Sequence, residues 1–535
     1  MKTESLEKLL INGREVKIVA MRGSIIDEKY TREANKIAKF MVEKLGLSFG
    51  NVQFKFLDNE EFAEKSALWQ NPLPTWDTGQ NKVINENMMQ YRQYSLFEQV
   101  GNKFYAMVEN QEYTEVFINQ NDTRDEILSV IAHVYGHLHV IDNNKLSKTL
   151  EINNNKHESY RSRYRKIEEV IGINETEEFY NLTQTLSSLV DIYKDLHKEP
   201  KLDYYGKEKD FPKQDVFDVY KFVLDNMTWN GWEKEILDMV YDINQLSISV
   251  TRLKIIHEGF ASFVENKYIE EVTKEDLGLG WEMKHKFLSV ADVLSEPQMP
   301  YFLGFRLFQN IEKRWNEGKH GPVYELLTDE EKRNYSKNEG KGLEEILHIV
   351  KHNTDWEFIF SYANKDFLKT LSEEIIEKRM FLIKSQVEDS PWGKWILDRM
   401  KKTMQEELDP DLMRFELLLR TENYMPMIYI PKGEFLGDNL PLRQDLSFIN
   451  RYSNMLKKES KLSEEVTAVF SLNNKMTRRS LLRLSKLLNL PVSLETMDKK
   501  GQPLILYVEV GGKKVEKIED GSGPRFDLEE KSESE

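Results

Sequence analysis

Three histidines lie within seven positions of one segment, SVIAHVYGHLHVIDNN (129–144), although the chain of 535 residues contains only ten. His133 and His137 are four residues apart, so on a helix their imidazoles lie one turn apart on one face. Two imidazoles in this arrangement bind one divalent metal ion, as in the H-x-x-x-H helices of zinc enzymes. His139 points away from the pair while the helix continues, and it joins them as a ligand only if the helix ends nearby. The alternative is a pair of partly buried histidines with ordinary hydrogen-bond partners.

A second segment, LKIIHEGFASFVENKYIEE (253–271), supplies a carboxylate that suits the same ion. Helical spacing places Glu258 outside the apolar face, beside small residues that let a second helix approach. Two histidines and one glutamate, with a fourth position open, are the ligand set of glutamate-type zinc peptidases. His257 and His139 are further candidate ligands, and they would close the coordination sphere and favour a structural site. The alternative is that Glu258 pairs with a lysine or arginine in a helical bundle.

The general base of such an enzyme is missing from its usual position. In H-E-x-x-H enzymes, the glutamate after the first histidine accepts a proton from water at the metal. That position is Val134, which cannot accept a proton. Another carboxylate is then the base, with Glu265, Glu158 and Asp142 as candidates, or the metal alone lowers the pKa of water to about 7. The third possibility is a structural site without turnover.

Composition limits the class of protein. A length of 535 residues favours two to four domains, and a formal net charge of −16 argues against binding to nucleic acid or anionic membranes. The absence of cysteine excludes disulfides, thiolate zinc sites and cysteine nucleophiles. No apolar run approaches the roughly 20 residues of a membrane span, and the N-terminus lacks an apolar signal core. We therefore expect a cytoplasmic protein without a membrane span.

Apolar periodicity predicts a helical middle between two mixed ends. Helical spacing dominates from about residue 123 to 400, whereas KFYAMVEN and TEVFINQ alternate like the two strands of a hairpin. We predict an α+β fold, predominantly helical, in which a zincin-like helical metal-site domain carries a small N-terminal sheet and is followed by a C-terminal α+β domain. The predicted boundaries are an N-terminal arm at 1–30, the zincin-like domain at 31–400, the C-terminal domain at 405–518 and an acidic disordered tail at 519–535.

Seven motifs, spread in order over most of the chain, carry a family resemblance. They are AHVYGHLHVIDNN, ESYRSRYRKIEEVIG, WEKEILDMVYDINQ, LKIIHEGFASF, MPYFLGFRLFQNIEKRW, VKHNTDWEFIFSYANKDF and LPVSLETMDKKGQPLILYV. In this order they resemble the sequence blocks of the SpoVR family, stage V sporulation protein R. Each motif alone is modest, and the ordered series makes the resemblance specific.

The resemblance implies a bacterial cytoplasmic protein that is linked, in sporulating members, to formation of the spore cortex, a peptidoglycan layer. It also implies a functional link to two partners, a serine protein kinase and a von Willebrand-type protein. The sequence departs from the family pattern at the candidate site, where His139 replaces Asp, His257 replaces Asn and Glu265 replaces His. These departures indicate a diverged member.

Two functional hypotheses follow. In the first, one divalent metal ion, with zinc as the first candidate, is bound by His133, His137 and Glu258. This site hydrolyses an amide bond in a peptidoglycan precursor or a regulatory protein. In the second, the chain is a non-catalytic scaffold or regulator of spore-envelope assembly with a structural or vestigial metal site. Arg306 and Arg314, in FRLFQNIEKRW, either line a pocket for an anionic substrate or form salt bridges along a helix face.

Overall fold

The structure is a computed structural model that describes most of the chain. The described residues are 9–11, 13–22, 25–26, 28–58, 60–61, 97–100, 103–109, 113–148, 154–191, 215–292, 298–384, 394, 397–402, 413, 428–435, 437, 439–445, 475–498, 502–510, 515–518 and 526–528. They fall into two compact units. The first takes its described residues from Met1–Pro72, Trp76–Lys156 and Ser249–Thr421, and the second takes them from His157–Ile248 and Glu422–Glu535.

The helices dominate the described structure, which confirms the predicted α+β fold with a helical majority. In chain order they are α1 (Glu28–Leu45), α2 (Arg124–Asn143), α3 (Lys145–Lys148), α4 (Asn154–Ile171), α5 (Ile173–Thr183), a 3₁₀ helix (Gln184–Leu189), α6 (Val219–Asn226), α7 (Gly231–Thr251), α8 (Lys254–Glu275), α9 (Leu277–Ala291), α10 (Met299–Asn316), α11 (Pro322–Glu325), α12 (Asp329–Asn334), α13 (Gly342–His352), α14 (Asp355–Tyr362), α15 (Lys365–Lys384) and α16 (Lys475–Leu488). Among the described helices, none combines the length and the apolar character that a membrane crossing requires.

A six-stranded mixed sheet lies at the start of the first unit. The strands before α2 are β1 (Leu9–Ile11), β2 (Arg14–Val16), β3 (Ile18–Arg22), β4 (Ile25–Ile26), β5 (Val52–Leu57), β6 (Phe97–Val100), β7 (Lys103–Glu109) and β8 (Thr114–Asn119). The sheet order is β4-β3-β5-β8-β7-β6, and β1 pairs with β2 separately. Strands β3, β5 and β8 are parallel, and α1 makes the crossover that the parallel pair β3 and β5 requires. The predicted hairpin is confirmed as β7 and β8.

The N-terminal residues contribute more than the predicted arm. Strand β3 pairs with both β4 and β5, and Ile18 is fully buried. Because β3 has a neighbouring strand on each side, it lies inside the sheet and not in a separate arm.

The second unit joins the helices α4 to α7 to a C-terminal sheet. The remaining strands are β9 (Ile428–Tyr429), β10 (Leu440–Gln444), β11 (Val492–Met497), β12 (Pro503–Val508), β13 (Val515–Ile518) and β14 (Phe526–Leu528), in the order β14-β13-β12-β11-β10-β9. One apolar cluster includes Tyr220 and Leu237 from the helices and Leu494 and Leu506 from the strands. The two units thus cut across the predicted boundaries, because the helices between 157 and 248 bury their apolar faces against this sheet. In the predicted acidic tail, β14 pairs with β13, and the other tail residues lie outside the described part.

The helix α8 lies between several helices of the first unit and packs against α2, α9 and α10. Its apolar side chains Ile256, Phe260, Phe263 and Val264 are all buried. This packing brings its remaining faces, including that of Glu258, against neighbouring helices.

Candidate metal centre

The two histidines of the candidate site lie on α2, which is one uninterrupted helix that begins with a capping box. Because it continues past the histidine cluster, His133 and His137 share a face, and their ring centroids are 4.7 Å apart. His139 lies on another face, where its Nδ1 accepts a hydrogen bond from the Ser48 amide at 2.9 Å. The structure therefore does not bring His139 to the other two histidines.

The carboxylate lies on α8, and this helix is capped from outside. Its N-cap residue, Leu253, offers no side-chain acceptor. The Asp355 carboxylate, at the start of α14, accepts hydrogen bonds from the amides of Ile255 and Ile256, each at 2.8 Å. These bonds satisfy two of the amides that every helix start leaves without an intrahelical partner. Burial raises the pKa of Asp355 to about 8, so this cap has a protonation equilibrium within the ordinary pH range.

Glycines bring α8 close to both neighbouring helices. A Cβ atom added at Gly136 of α2 would lie 2.6 Å from the Cα of Ala261, and one at Gly259 would lie 2.4 Å from the Cα of Gly304 in α10. Ordinary carbon contacts need about 3.5–4.0 Å, so any larger residue would push the helices apart. The small residues near Glu258 therefore allow the close approach that the sequence indicated.

Three ligand atoms converge where α2 meets α8. Glu258 Oε2 lies 3.6 Å from His133 Nε2 and 3.5 Å from His137 Nε2, and all three atoms lie within 4.8 Å of one another. These distances exceed an ordinary N–H···O bond. A tetrahedral zinc ion about 2.1 Å from each ligand needs ligand atoms about 3.4 Å apart. Glu258 Oε2 is buried and has no hydrogen-bond partner among the described residues. The spacing and this oxygen both fit a metal ion.

Each of the three ligands has its own partner on α8. His133 Nδ1 lies 3.0 Å from Glu265 Oε2, and His137 Nδ1 lies 3.2 Å from Nδ1 of His257. Lys254 donates a hydrogen bond to Glu258 Oε1 at 2.6 Å. Metal-bound histidines usually donate their second ring N–H in this way, which fixes the tautomer and the ring orientation.

The three groups also perturb one another's protonation. Burial by itself lowers the pKa of His133, but the carboxylates of Glu258 and Glu265 outweigh it and raise the pKa to about 8. Burial holds the pKa of His137 well below its ordinary value, despite Glu258 nearby. Burial would raise the pKa of Glu258, yet the positive charge of Lys254 keeps it well below its ordinary value. The carboxylate is therefore ionised and His137 is neutral, as metal ligands must be.

Two of the three candidate bases, Glu265 and Asp142, have described side chains. Glu265 is 3 % exposed and contacts His133, so it orients a ligand. Asp142 accepts a hydrogen bond from the Gly50 amide at 2.7 Å, and burial raises its pKa. Glu158 belongs to α4, and its side chain lies outside the described residues. The structure thus pairs Glu265 with a candidate ligand and Asp142 with a backbone amide, and a role of either one as the base stays a prediction.

The two arginines form structural contacts on α10. Arg306 donates to Glu374 Oε1 at 2.7 Å and to Asp292 Oδ1 at 2.5 Å. Arg314 donates to the backbone oxygen of Tyr362 at 2.7 Å. These contacts match the helix-face alternative, because both guanidinium groups already bind protein acceptors.

Two further residues, Lys254 and Asp355, belong to this centre. The alternative for Glu258, a pairing with a lysine or arginine, is met by Lys254 at Oε1, and no sequence pattern indicated Asp355. Lys254 stands four residues before Glu258, a spacing that favours an ion pair on a helix, so this signal was available. Asp355 acts about 100 residues from the helix that it caps, and no local pattern reveals this.

A comparison with known protein families matches the part of the chain that contains this site. The sequence model of the SpoVR-like proteins matches residues 27–204 and 196–408, which include α2 and α8. The chain belongs to the SpoVR family. This membership suggests a function related to sporulation. No curated protein and no solved structure matches the chain.

Proposed function

We propose that this SpoVR protein binds one divalent metal ion, with zinc as the first candidate, in a zincin-like site and hydrolyses an amide bond. The observation that carries the proposal is the position of Glu258 Oε2, 3.6 Å and 3.5 Å from the Nε2 atoms of His133 and His137. The hydrogen-bond partner of each ligand supports it, because such partners raise metal affinity. A divalent ion with an open position acts as a Lewis acid and lowers the pKa of water.

The residues around the three ligands orient the ligand side chains, and we assign none of them a proton transfer. Glu265 and His257 hold the two imidazoles with Nε2 towards the ion, and Lys254 holds the carboxylate. Lys254 and His257 keep part of their surface exposed, 12 % of the side chain for Lys254, whereas Glu265 and Glu258 are buried. We assign the entry of substrate to the start of α8 for this reason. The sporulation link favours an amide bond of a peptidoglycan precursor, or of a regulatory protein, as the substrate.

A second candidate function is a non-catalytic scaffold of spore-envelope assembly in which the ion is structural. Two observations favour it. Valine stands at the usual position of the base, and the ligands are deeply buried, with His133 1 %, His137 6 % and Glu258 2 % exposed. In this role the ion ties α2 to α8, and the predicted serine protein kinase and von Willebrand-type protein are the partners.

Metal content tests the site that both candidates share. Purified full-length protein is equilibrated with zinc, and the bound metal is measured by mass spectrometry. We expect one equivalent in the wild type and none in His133→Ala or Glu258→Ala. The control is His348→Ala, because His348 and His352 form another H-x-x-x-H pair, with ring centroids 4.6 Å apart. The described residues contain only one group of three metal-binding side chains, and His348 is not in it. A folded wild type without bound zinc would refute the site.

Turnover separates the two candidates. Peptidoglycan stem peptides and a general protein substrate are incubated with the zinc protein, and new amino groups are measured. If the protein is a hydrolase, the wild type releases amino groups and Glu258→Ala releases none. One equivalent of zinc with no release from either substrate favours the scaffold.

A further inference from the structure

Lys254 gives the proposed site a feature that bears on the choice of metal. Its Nζ lies 2.6 Å from Glu258 Oε1, and the two side chains are only 12 % and 2 % exposed. The two residues are four apart on α8, so the helix itself sets their separation. They form a charge-assisted hydrogen bond in a largely buried environment.

The two oxygens of Glu258 consequently have different roles. Oε1 is bound to the ammonium group of Lys254, whereas Oε2 faces His133 and His137. An oxygen that accepts a short hydrogen bond from an ammonium group has part of its charge compensated and one lone pair engaged. Oε1 is therefore a poor second ligand, and the carboxylate is arranged to bind an ion through one oxygen.

The location of Lys254 runs against the local preference of the helix. It is the first residue of α8, where the helix dipole favours acidic side chains and disfavours cations. Asp355 caps the next two residues, and the ring of Tyr301 lies 5.9 Å from the lysine Nζ. A lysine at this position does not stabilise the helix. Its contact with Glu258 therefore accounts for its presence better than helix stability does.

We propose that Lys254 is a positioning residue that keeps Glu258 monodentate and thereby selects a four-coordinate ion. This inference rests on the proposed metal site. Three protein ligand atoms and one open position suit zinc and cobalt(II), which accept nitrogen and oxygen ligands in tetrahedral sites. Magnesium and calcium take six or more ligands, mostly oxygen, and manganese shares this preference. A bidentate Glu258 would move the site towards these ions.

Cobalt(II) tests the proposal, because its visible absorption is intense in four-coordinate sites and much weaker at higher coordination. We expect the intense bands from the wild type loaded with cobalt. Lys254→Met keeps the length of the side chain without its charge. It is expected to weaken the absorption several-fold and to lower the preference for zinc over manganese by about 10-fold or more. Lys39→Met is the control, since Lys39 and Glu43 form an exposed pair with the same spacing on α1.

The outcomes separate this inference from the proposed function. A wild type that binds no metal refutes the proposed site. A folded Lys254→Met protein with unchanged absorption and unchanged metal preference overturns the role of Lys254 and leaves the site intact. X-ray absorption of the wild-type zinc protein gives the coordination number of the ion, and this measurement needs no variant. Four nitrogen or oxygen neighbours are expected, and five or six would overturn the inference even if the variant does not fold.

Discussion

A methyl group added at Gly136 tests whether the approach of the two helices sets the metal geometry. The Cβ of Gly136→Ala would lie 2.6 Å from the Cα of Ala261 and 2.8 Å from Cγ2 of Val264. The Cα of Ala261 cannot rotate away, so α2 and α8 must separate by about 1 Å to reach an ordinary carbon contact. The same separation would move Glu258 Oε2 to about 4.5 Å from the imidazole nitrogens, given the usual contact distances.

The expected losses follow from these distances. Overpacking of this kind costs about 1–3 kcal/mol in the free energy of unfolding. Tetrahedral zinc spans only about 3.4 Å between ligand atoms, so the widened site loses one ligand. We expect zinc affinity to fall by about 100-fold or more, beyond the effect of most outer-shell changes. At a zinc concentration 100 times the wild-type Kd, zinc binding then stabilises the wild type by about 2.7 kcal/mol and the variant by at most about 0.4 kcal/mol.

Zinc affinity is measured by competition with a chromophoric chelator, and stability by urea unfolding with zinc or with EDTA. Gly278→Ala in α9 is the control, because its Cβ would lie 3.5 Å from Asp276 Oδ1, an ordinary contact. Alanine is also the better helix former, so the control is expected to be neutral or slightly stabilising. A Gly136→Ala protein that keeps the full stabilisation by zinc would refute the link between helix spacing and metal geometry.

Three further predictions concern the groups around the site. Glu265→Gln removes the charged partner of His133 Nδ1, and we expect zinc affinity to fall about 10–100-fold with an unchanged circular dichroism spectrum. Wild-type affinity in the competition titration would exclude this orienting role. Asp355→Ala leaves the amides of Ile255 and Ile256 without their acceptor and should lower the free energy of urea unfolding by about 1–2 kcal/mol. No loss of stability would show that α8 does not need this cap. In zinc-free protein, the pKa of His133 is raised from 6.5 to about 8. Its proton therefore stabilises the fold fully below pH 6.5, and about 2 kcal/mol is lost as the pH rises through 8. The decline of stability between pH 6 and 9 should be steeper without zinc than with zinc by about this amount, because the ion replaces the proton of His133, whereas Asp355, whose pKa is also raised to about 8, titrates in both samples. Equal slopes with and without zinc in thermal unfolding would contradict the assignment.

Local patterns were sufficient to select the three candidate ligand residues that the structure brings together. The spacing of His133 and His137 puts two imidazoles on one face of any helix, whatever surrounds it. Glu258 was recognisable because small residues share its face and apolar residues mark the opposite one. The hairpin and the helical majority of the α+β fold follow from the same kind of periodicity, which depends only on residues close in sequence.

Domain membership was less accessible to the sequence. An apolar stripe shows that a helix between 157 and 248 is buried on one side, but it does not show against which element. Those helices share a core with the C-terminal strands, far along the chain. Which element a helix packs against depends on complementary shape between segments far apart in the chain. Amphipathic spacing does not contain this information.

The sequence by itself determined which side chains can bind a metal ion, because residue type and helical spacing are local properties. Only the tertiary structure decided what each of them does. Glu265 was a candidate base and His257 a candidate ligand, yet each contacts the far nitrogen of a histidine more than 100 residues away. These roles depend on which atom of one helix meets which atom of another. That meeting follows from the packing of α8 against the backbone at Gly136, which no stretch of sequence encodes alone.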